Sequence, residues 1–190
     1  MKKILSTLVL VLMVSVAAIS PQIAIAQDNS PTDPAAVGSR VRSMIELGSV
    51  YTNIYDIAIT VLETVRGTAA MDKLKAVDPG NGMPADGHEY VLARIKFEFN
   101  GRYVSDNLLF DLGDDPLQWV ALSSELTEYP GVSVTVPKPA LSGVVKPGDT
   151  MEGWVAFAVE KSDSKPVMVF DPDTGGATGR GRTLFFKLYK

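Results

Sequence analysis

Alternation of two sets of residues is clearest between His88 and Phe99. From Val91 onward every second residue is apolar, in the order Val91, Ala93, Ile95, Phe97 and Phe99, and the other set ends with the charged Arg94, Lys96 and Glu98. Because successive side chains of a β-strand point to opposite faces, the pattern predicts a strand with one face in a core and the other toward solvent. Asn100-Gly101 follows directly and predicts a tight turn.

Shorter stretches of β-branched and aromatic residues recur at spacings of roughly ten residues, separated by turns rich in Gly, Pro and Asp. The predicted strands lie from Val50 onward and at 107–112, 118–122, 132–136, 150–159, 166–170 and 183–189. One short helix is predicted near residues 69–77, because Thr68 can cap it and Pro79-Gly80 can end it. About seven to nine strands with one helix indicate an all-β antiparallel β-sandwich.

The first 26 residues have a different pattern. Two lysines precede an apolar run from Ile4 to Ile19, and an A-x-A cleavage site ends at Ala26. A charged start, an apolar stretch and this site, in that order, predict a signal peptide (residues 1–26) cleaved after Ala26. A bacterial lipoprotein would need a cysteine at the next position, where this chain has Gln27. We therefore expect a secreted or periplasmic, extracytoplasmic protein without stable membrane insertion after cleavage.

The segment after the cleavage site, residues 27–47, begins with polar residues and prolines, and we expect it to be flexible. No linker interrupts the strands that follow. Residues 48–190 are therefore predicted to form a single β-sandwich domain.

Charge and composition limit the partners. The net charge is −4 and the pI is near 5.0, and lysine and arginine are not clustered on any segment. We expect no nucleic acid partner, because phosphate contacts need grouped basic side chains. Cysteine is absent, which excludes disulfides and, with one histidine, ordinary structural zinc.

Candidate chemistry is sparse. His88 is the only histidine, and the chain has neither a G-x-S-x-G motif nor a cysteine nucleophile, so nucleophilic catalysis would depend entirely on His88. The carboxylates that could bind calcium lie in two loops, and they are Asp111, Asp114, Asp115, Asp171 and Asp173. Neither loop has the spacing of a calcium-binding loop, and Asp is common in turns. We assign no catalytic, cofactor-binding or metal residue and expect no cofactor.

Two glycine-bearing motifs near the C-terminus are explained by folding. The residues from Lys146 to Asp149 predict a turn, and Gly153 in the strand that follows predicts a bulge or the close approach of another backbone. The motif GATGRGRT, residues 176–183, has the spacing of a phosphate-binding loop, but a predicted strand follows it instead of the required helix. We expect a flexible glycine-rich hairpin loop whose Arg180 and Arg182 contact a partner.

Several motifs in a fixed order carry a family resemblance. They are Gly48-Ser49-Val50, GHEYVLARIKFEF from Gly87, VKPGDTMEGWVAFAV from Val145, KPVMVF from Lys165 and LFFKLY from Leu184. From Gly48 to Tyr189 the chain resembles the DUF4352 family, the MPT63-like domains of secreted or lipid-anchored bacterial proteins. The resemblance implies an immunoglobulin-like sandwich and an extracytoplasmic location. It implies no site residues, because such domains have no established catalytic residues.

Three functional hypotheses follow. The leading one is non-catalytic binding of a protein or a cell-envelope component. The alternatives are an extracytoplasmic hydrolase that uses His88 or clustered Asp residues, and a small-ligand or calcium-binding carrier. A pocket that holds His88 beside a buried carboxylate would favour the hydrolase. An exposed apolar patch or an unpaired strand edge would favour partner binding.

Overall fold

The computed structural model describes residues 29–47, 53–102, 108–113, 118–172 and 179–190. The predicted signal peptide and the motif Gly48-Ser49-Val50 lie outside these residues. The elements in chain order are β1 (Arg40–Leu47), β2 (Asn53–Arg66), α1 (Thr68–Val77), β3 (His88–Gly101), β4 (Phe110–Leu112), β5 (Trp119–Leu122), β6 (Gly143–Val145), β7 (Thr150–Glu160), β8 (Val167–Phe170), β9 (Gly179–Gly181) and β10 (Leu184–Lys187). The predicted all-β class and the short helix are confirmed.

In the described part of the chain, all strand pairs are antiparallel and form three sheets. The large sheet has the order β7-β3-β2-β1-β9, the second sheet β10-β8-β5, and the third β4-β6. The sheets form a curled, sandwich-like fold. Among the described residues, no helix has the length and apolar character needed to cross a membrane.

Apolar side chains on the inner face of the large sheet form the main core with the two smaller sheets. The alternating set predicted in β3 is buried there, and Phe97 lies at its centre. The Phe97 ring centroid is 6.4, 6.0 and 5.9 Å from those of Phe99, Phe110 and Phe170. Aromatic rings at these separations pack in tilted or offset arrangements that contribute beyond their buried area.

The opposite, outer face of the large sheet is covered at one end, which corrects the prediction that this whole face of β3 meets solvent. Tyr90 and Leu92 are buried there, because α1 packs across this end with Ala70 and Leu74. Trp154 of β7 completes this second apolar cluster. The other end of the outer face carries charged side chains and is open.

β1 lies within the segment 27–47 that we expected to be flexible, and with β9 it brings the strands of the described residues to ten, against the predicted seven to nine. Val41, Ile45 and Leu47 point into the main core, and β1 pairs with β2 along its whole length. Ser43 occupies the second inward position of this alternation. A polar residue among only four inward positions hides the period of two that identifies a strand.

Residues 132–136, predicted as a strand, have no regular secondary structure and belong to none of the three sheets. They are part of a strap, residues 130–141, which lies against the second apolar cluster. Their alternation comes from packing on that cluster by Val132, Val134 and Val136. Within residues 132–136 the backbone pairs with a side chain instead of a strand: Asn81 Nδ2 donates to the Thr135 carbonyl at 2.9 Å, and the Thr135 N–H donates to Asn81 Oδ1 at 2.7 Å.

The predicted close approach at Gly153 is confirmed, because the strap crosses β7 there. The Trp154 N–H donates to the Pro139 carbonyl at 2.9 Å, and the Leu141 N–H donates to the Trp154 carbonyl at 3.1 Å. A Cβ atom on Gly153 would lie 2.4 Å from the backbone nitrogen of Leu141 and 2.5 Å from the backbone carbon of Ala140. The absence of a side chain at this position therefore allows the strap to bond to the edge of β7.

Candidate functional site

His88 lines a cleft of about 460 Å³ formed with the loop at 123–130 and the turn after β7. Asp163 lines the same cleft and is buried. The structure therefore places the only histidine near a buried carboxylate, which is one of the two requirements of a hydrolytic site. The second requirement is a set of contacts that activates a nucleophile.

The Asp163 carboxylate is engaged in holding two loops together. Its Oδ2 atom accepts hydrogen bonds from the Tyr129 hydroxyl at 2.9 Å and from the Ser124 N–H at 3.2 Å. Its Oδ1 atom accepts the Lys165 N–H at 2.9 Å. Because the Asp163 carboxylate accepts three hydrogen bonds, its role is structural: it joins the loop at 123–129 to the turn before β8.

His88 lacks the contacts of a catalytic base. Its Nδ1 atom lies 3.1 Å from the Asp86 carbonyl oxygen, and its ring meets the Tyr129 ring edge-on with centroids 6.4 Å apart. The Ser123 hydroxyl, which lines the same cleft, accepts the Thr127 N–H at 3.1 Å and so caps its own loop. In the described part of the chain, no hydrogen bond joins His88 to a carboxylate or a hydroxyl. The cleft therefore does not hold a Ser-His-Asp arrangement.

Tyr129 makes the loop contact sensitive to alkaline pH. Burial, and then the hydrogen bond to Asp163, raise the pKa of Tyr129 from 10.0 to about 12. The folded state holds this proton more tightly, so the stabilisation is fully present below pH 10 and is lost as the pH rises from 10 toward 12. We expect urea denaturation to show a steeper loss of stability over this interval for the native protein than for Tyr129→Phe. Equal slopes would contradict the assignment.

The two acidic loops considered for calcium meet at Gln118, which is fully buried. The Gly113 N–H donates to Gln118 Oε1 at 2.6 Å, Gln118 Nε2 donates to the Asp111 carbonyl at 3.3 Å, and the Asp171 N–H donates to the Gln118 carbonyl at 3.1 Å. These contacts use backbone atoms of both aspartates. Outside the described residues lie Asp114, Asp115 and Asp173. Within the described ranges, no three side chains that could ligate a metal come together.

A groove of about 1000 Å³ occupies the open end of the outer face, over β1, β2 and β9. Five arginines from three separate segments line it, and they are Arg40, Arg42, Arg102, Arg180 and Arg182. Glu46 and Asp56 are its acidic lining residues. We call this surface the arginine groove. The groove concentrates positive charge in a protein whose net charge is −4. Basic residues are dispersed along the sequence, but the fold brings five arginines to one surface.

Three of the arginines are held by partners. Arg40 Nε donates to Glu98 Oε2 at 2.6 Å, and this bond, opposed by burial, keeps the pKa of Glu98 below its usual value. Arg102 donates hydrogen bonds to Asp56, with its Nε atom 2.9 Å from each carboxylate oxygen. Arg182 Nη2 donates to the Asn29 carbonyl at 2.6 Å. These contacts fix the walls of the groove.

Arg42 and Arg180 are exposed, and within the described ranges neither has an ion-pair or hydrogen-bond partner for its side chain. Met44 and Ile54 also line the groove and are 50% and 40% exposed. Exposed apolar side chains grouped beside unpaired cations are typical of a binding surface. The groove therefore fits an anionic ligand that has an apolar part.

The sequence indicated part of this surface. Arg180 was predicted to contact a partner and lines the groove. Arg42 and Met44 were missed because β1 was not recognised as a strand; its outward positions 40, 42, 44 and 46 hold Arg, Arg, Met and Glu. Recognition of β1 would have placed these side chains on one face.

No family model matches the chain, so the family resemblance stays a prediction. No curated protein matches it. Among solved structures, the chain is similar to the crystal structure of a "putative lipoprotein (ycdA)" from Bacillus subtilis, with 8% sequence identity and a TM-score of 0.43. The similarity covers 69% of this chain and 36% of that one, so the chain spans little more than a third of that protein's length. A similarity of this extent assigns neither a family nor a function.

Proposed function

We propose that this protein is an exported, non-catalytic binding module whose arginine groove holds an acidic ligand, supplied by a protein or by the cell envelope. One observation carries the proposal: Arg42 and Arg180 lack partners within the described structure, and they share the groove with the exposed Met44 and Ile54. Guanidinium groups bind carboxylate and phosphate groups with paired hydrogen bonds, and a groove of one sign attracts ligands of the other.

Two further observations support this proposal. The pattern of residues 1–26 is that of a signal peptide, which favours a secreted or periplasmic location. The His88 cleft holds its carboxylate in structural hydrogen bonds, which favours binding over hydrolysis.

The charge of the groove is tested by reversing it. We expect the purified protein to bind immobilised poly-glutamate, and the double variant Arg42→Glu/Arg180→Glu to bind it at least about tenfold more weakly, a loss of roughly 1.4 kcal/mol. The affinity should also fall as salt is added, because the contacts are exposed. Surface plasmon resonance at several salt concentrations measures both effects.

The matched control is Lys161→Glu/Lys165→Glu, which makes the same change in net charge at exposed positions outside the groove. This control should keep the native affinity within about twofold, because it alters only the overall field. Equal losses in the two double variants, or no binding by the native protein, would overturn the proposal.

A further inference from the structure

The two unpaired arginines stand at a defined spacing on the outer face. Arg42, Met44 and Glu46 are alternate residues of β1 and project from the same face. Arg180 of β9 lies directly opposite Glu46 in the register. At about 3.4 Å per residue, Arg42 and the Glu46–Arg180 pair are about 13 Å apart along the strand direction. The groove therefore presents two cationic ends with a gap between them.

The gap between these cations is filled by apolar and acidic groups. Met44 lies in its middle, opposite Asp56 of β2. Ile54 is diagonal to Met44, because it pairs with Glu46, and the two apolar side chains are near neighbours on one face. Asp56 is bound to Arg102, and Glu46 lies beside Arg180. The centre of the groove thus presents apolar side chains and, among the described residues, no unpaired cation that would hold a negative group.

We infer that the ligand is an extended acidic peptide segment with the pattern acid-x-apolar-x-acid. This inference rests on the proposed function and names the ligand class of the same groove. In an extended peptide, side chains at positions 1, 3 and 5 share a face and span about 13 Å, which matches the spacing of the two arginines. The central apolar side chain then covers Met44 and Ile54, while the two carboxylates meet Arg42 and Arg180.

A uniformly charged polymer fits this arrangement less well. Polyphosphate or a nucleic acid strand would place anionic groups at every repeat, and some of them would lie over the apolar centre. Such a polymer would also leave Met44 and Ile54 without an apolar partner. Charge complementarity at the two ends and an apolar contact at the centre therefore favour the peptide.

Three capped peptides of equal length separate these cases. The first carries Glu-Ser-Leu-Ser-Glu, the second has the same composition with adjacent acids as Glu-Glu-Leu-Ser-Ser, and the third lacks the apolar residue as Glu-Ser-Ser-Ser-Glu. The affinities are measured by NMR titration of the native protein, with the Met44 methyl signal as the probe, because this method detects weak binding. We expect the first peptide to bind at least about fivefold more tightly than either of the others, since spaced charges and the apolar contact each add to affinity.

A second variant isolates the apolar contact. Met44→Ser, observed by backbone amide shifts, should bring the affinity for the first peptide down to that for the third and leave the third unchanged. If poly-glutamate binds but the three peptides bind equally, or polyphosphate binds more tightly than the first peptide, the peptide pattern is wrong and the arginine groove remains a site for acidic ligands. If no anionic ligand binds, both proposals are wrong.

Discussion

Gly153→Ala is expected to lower the free energy of unfolding by about 3 kcal/mol, because the new methyl group enters space already occupied by backbone. Its Cβ would lie 2.4 to 2.6 Å from backbone atoms of Ala140 and Leu141. The strap backbone is hydrogen-bonded to β7 at this crossing. It cannot move away from the new methyl group without losing those bonds. Urea denaturation followed by circular dichroism at neutral pH measures the difference.

Gly131→Ala is the matched control for this substitution. Gly131 lies on the same strap, but nothing stands within 4 Å of the position of its Cβ atom. The control should leave stability unchanged or raise it by about 0.4–1 kcal/mol, because alanine restricts the unfolded chain. Similar stabilities of Gly153→Ala and Gly131→Ala would contradict the close contact between the strap and β7.

Asp163→Ala is expected to lower the free energy of unfolding by about 3 kcal/mol, because the buried Tyr129 hydroxyl is left without an acceptor, which costs ~1–3 kcal/mol, and two partly buried N–H groups lose theirs. The donors are the Tyr129 hydroxyl and the N–H groups of Ser124 and Lys165. The same denaturation measurement applies. The loss should persist across neutral pH, since it comes from missing acceptors.

Ser164→Ala, at an exposed neighbouring position, is the control and should change stability by less than about 0.5 kcal/mol. His88→Ala should also cost little, because the His88 ring contacts Tyr129 only at its edge. If His88→Ala destabilised the fold as much as Asp163→Ala, the cleft would be held by a different set of contacts from the one described.

Local patterns predicted the sandwich because the inward-facing residues of its central strands are apolar over long stretches. β3 is the clearest case: its inner residues form the apolar set predicted from the sequence, and both ends of the predicted strand fall within about two residues of the observed ones, the usual scatter of boundaries. The strap has a similar alternation without being a strand of any sheet. Its valines alternate because they pack on a cluster, and alternation alone does not say whether the backbone pairs with a strand or with Asn81.

The arginine groove could not be predicted from local patterns, because it depends on which strands are neighbours. Arg42 and Arg180 are far apart in the sequence and come together only through the pairing of β1 with β9. Arg102 reaches the same surface from the end of β3. Composition gave the opposite expectation, since an acidic chain with dispersed arginines has no basic segment.

The division of the outer face into a covered end and an open end has an evolutionary consequence. Arg42, Met44, Ile54 and Arg180 belong to neither apolar cluster, so their replacement should alter stability by less than about 0.5 kcal/mol each. Mutations there can accumulate without bringing the protein near its stability threshold. Descendants of this chain can therefore acquire a different outer surface at the open end while they keep the same core, helix and strap.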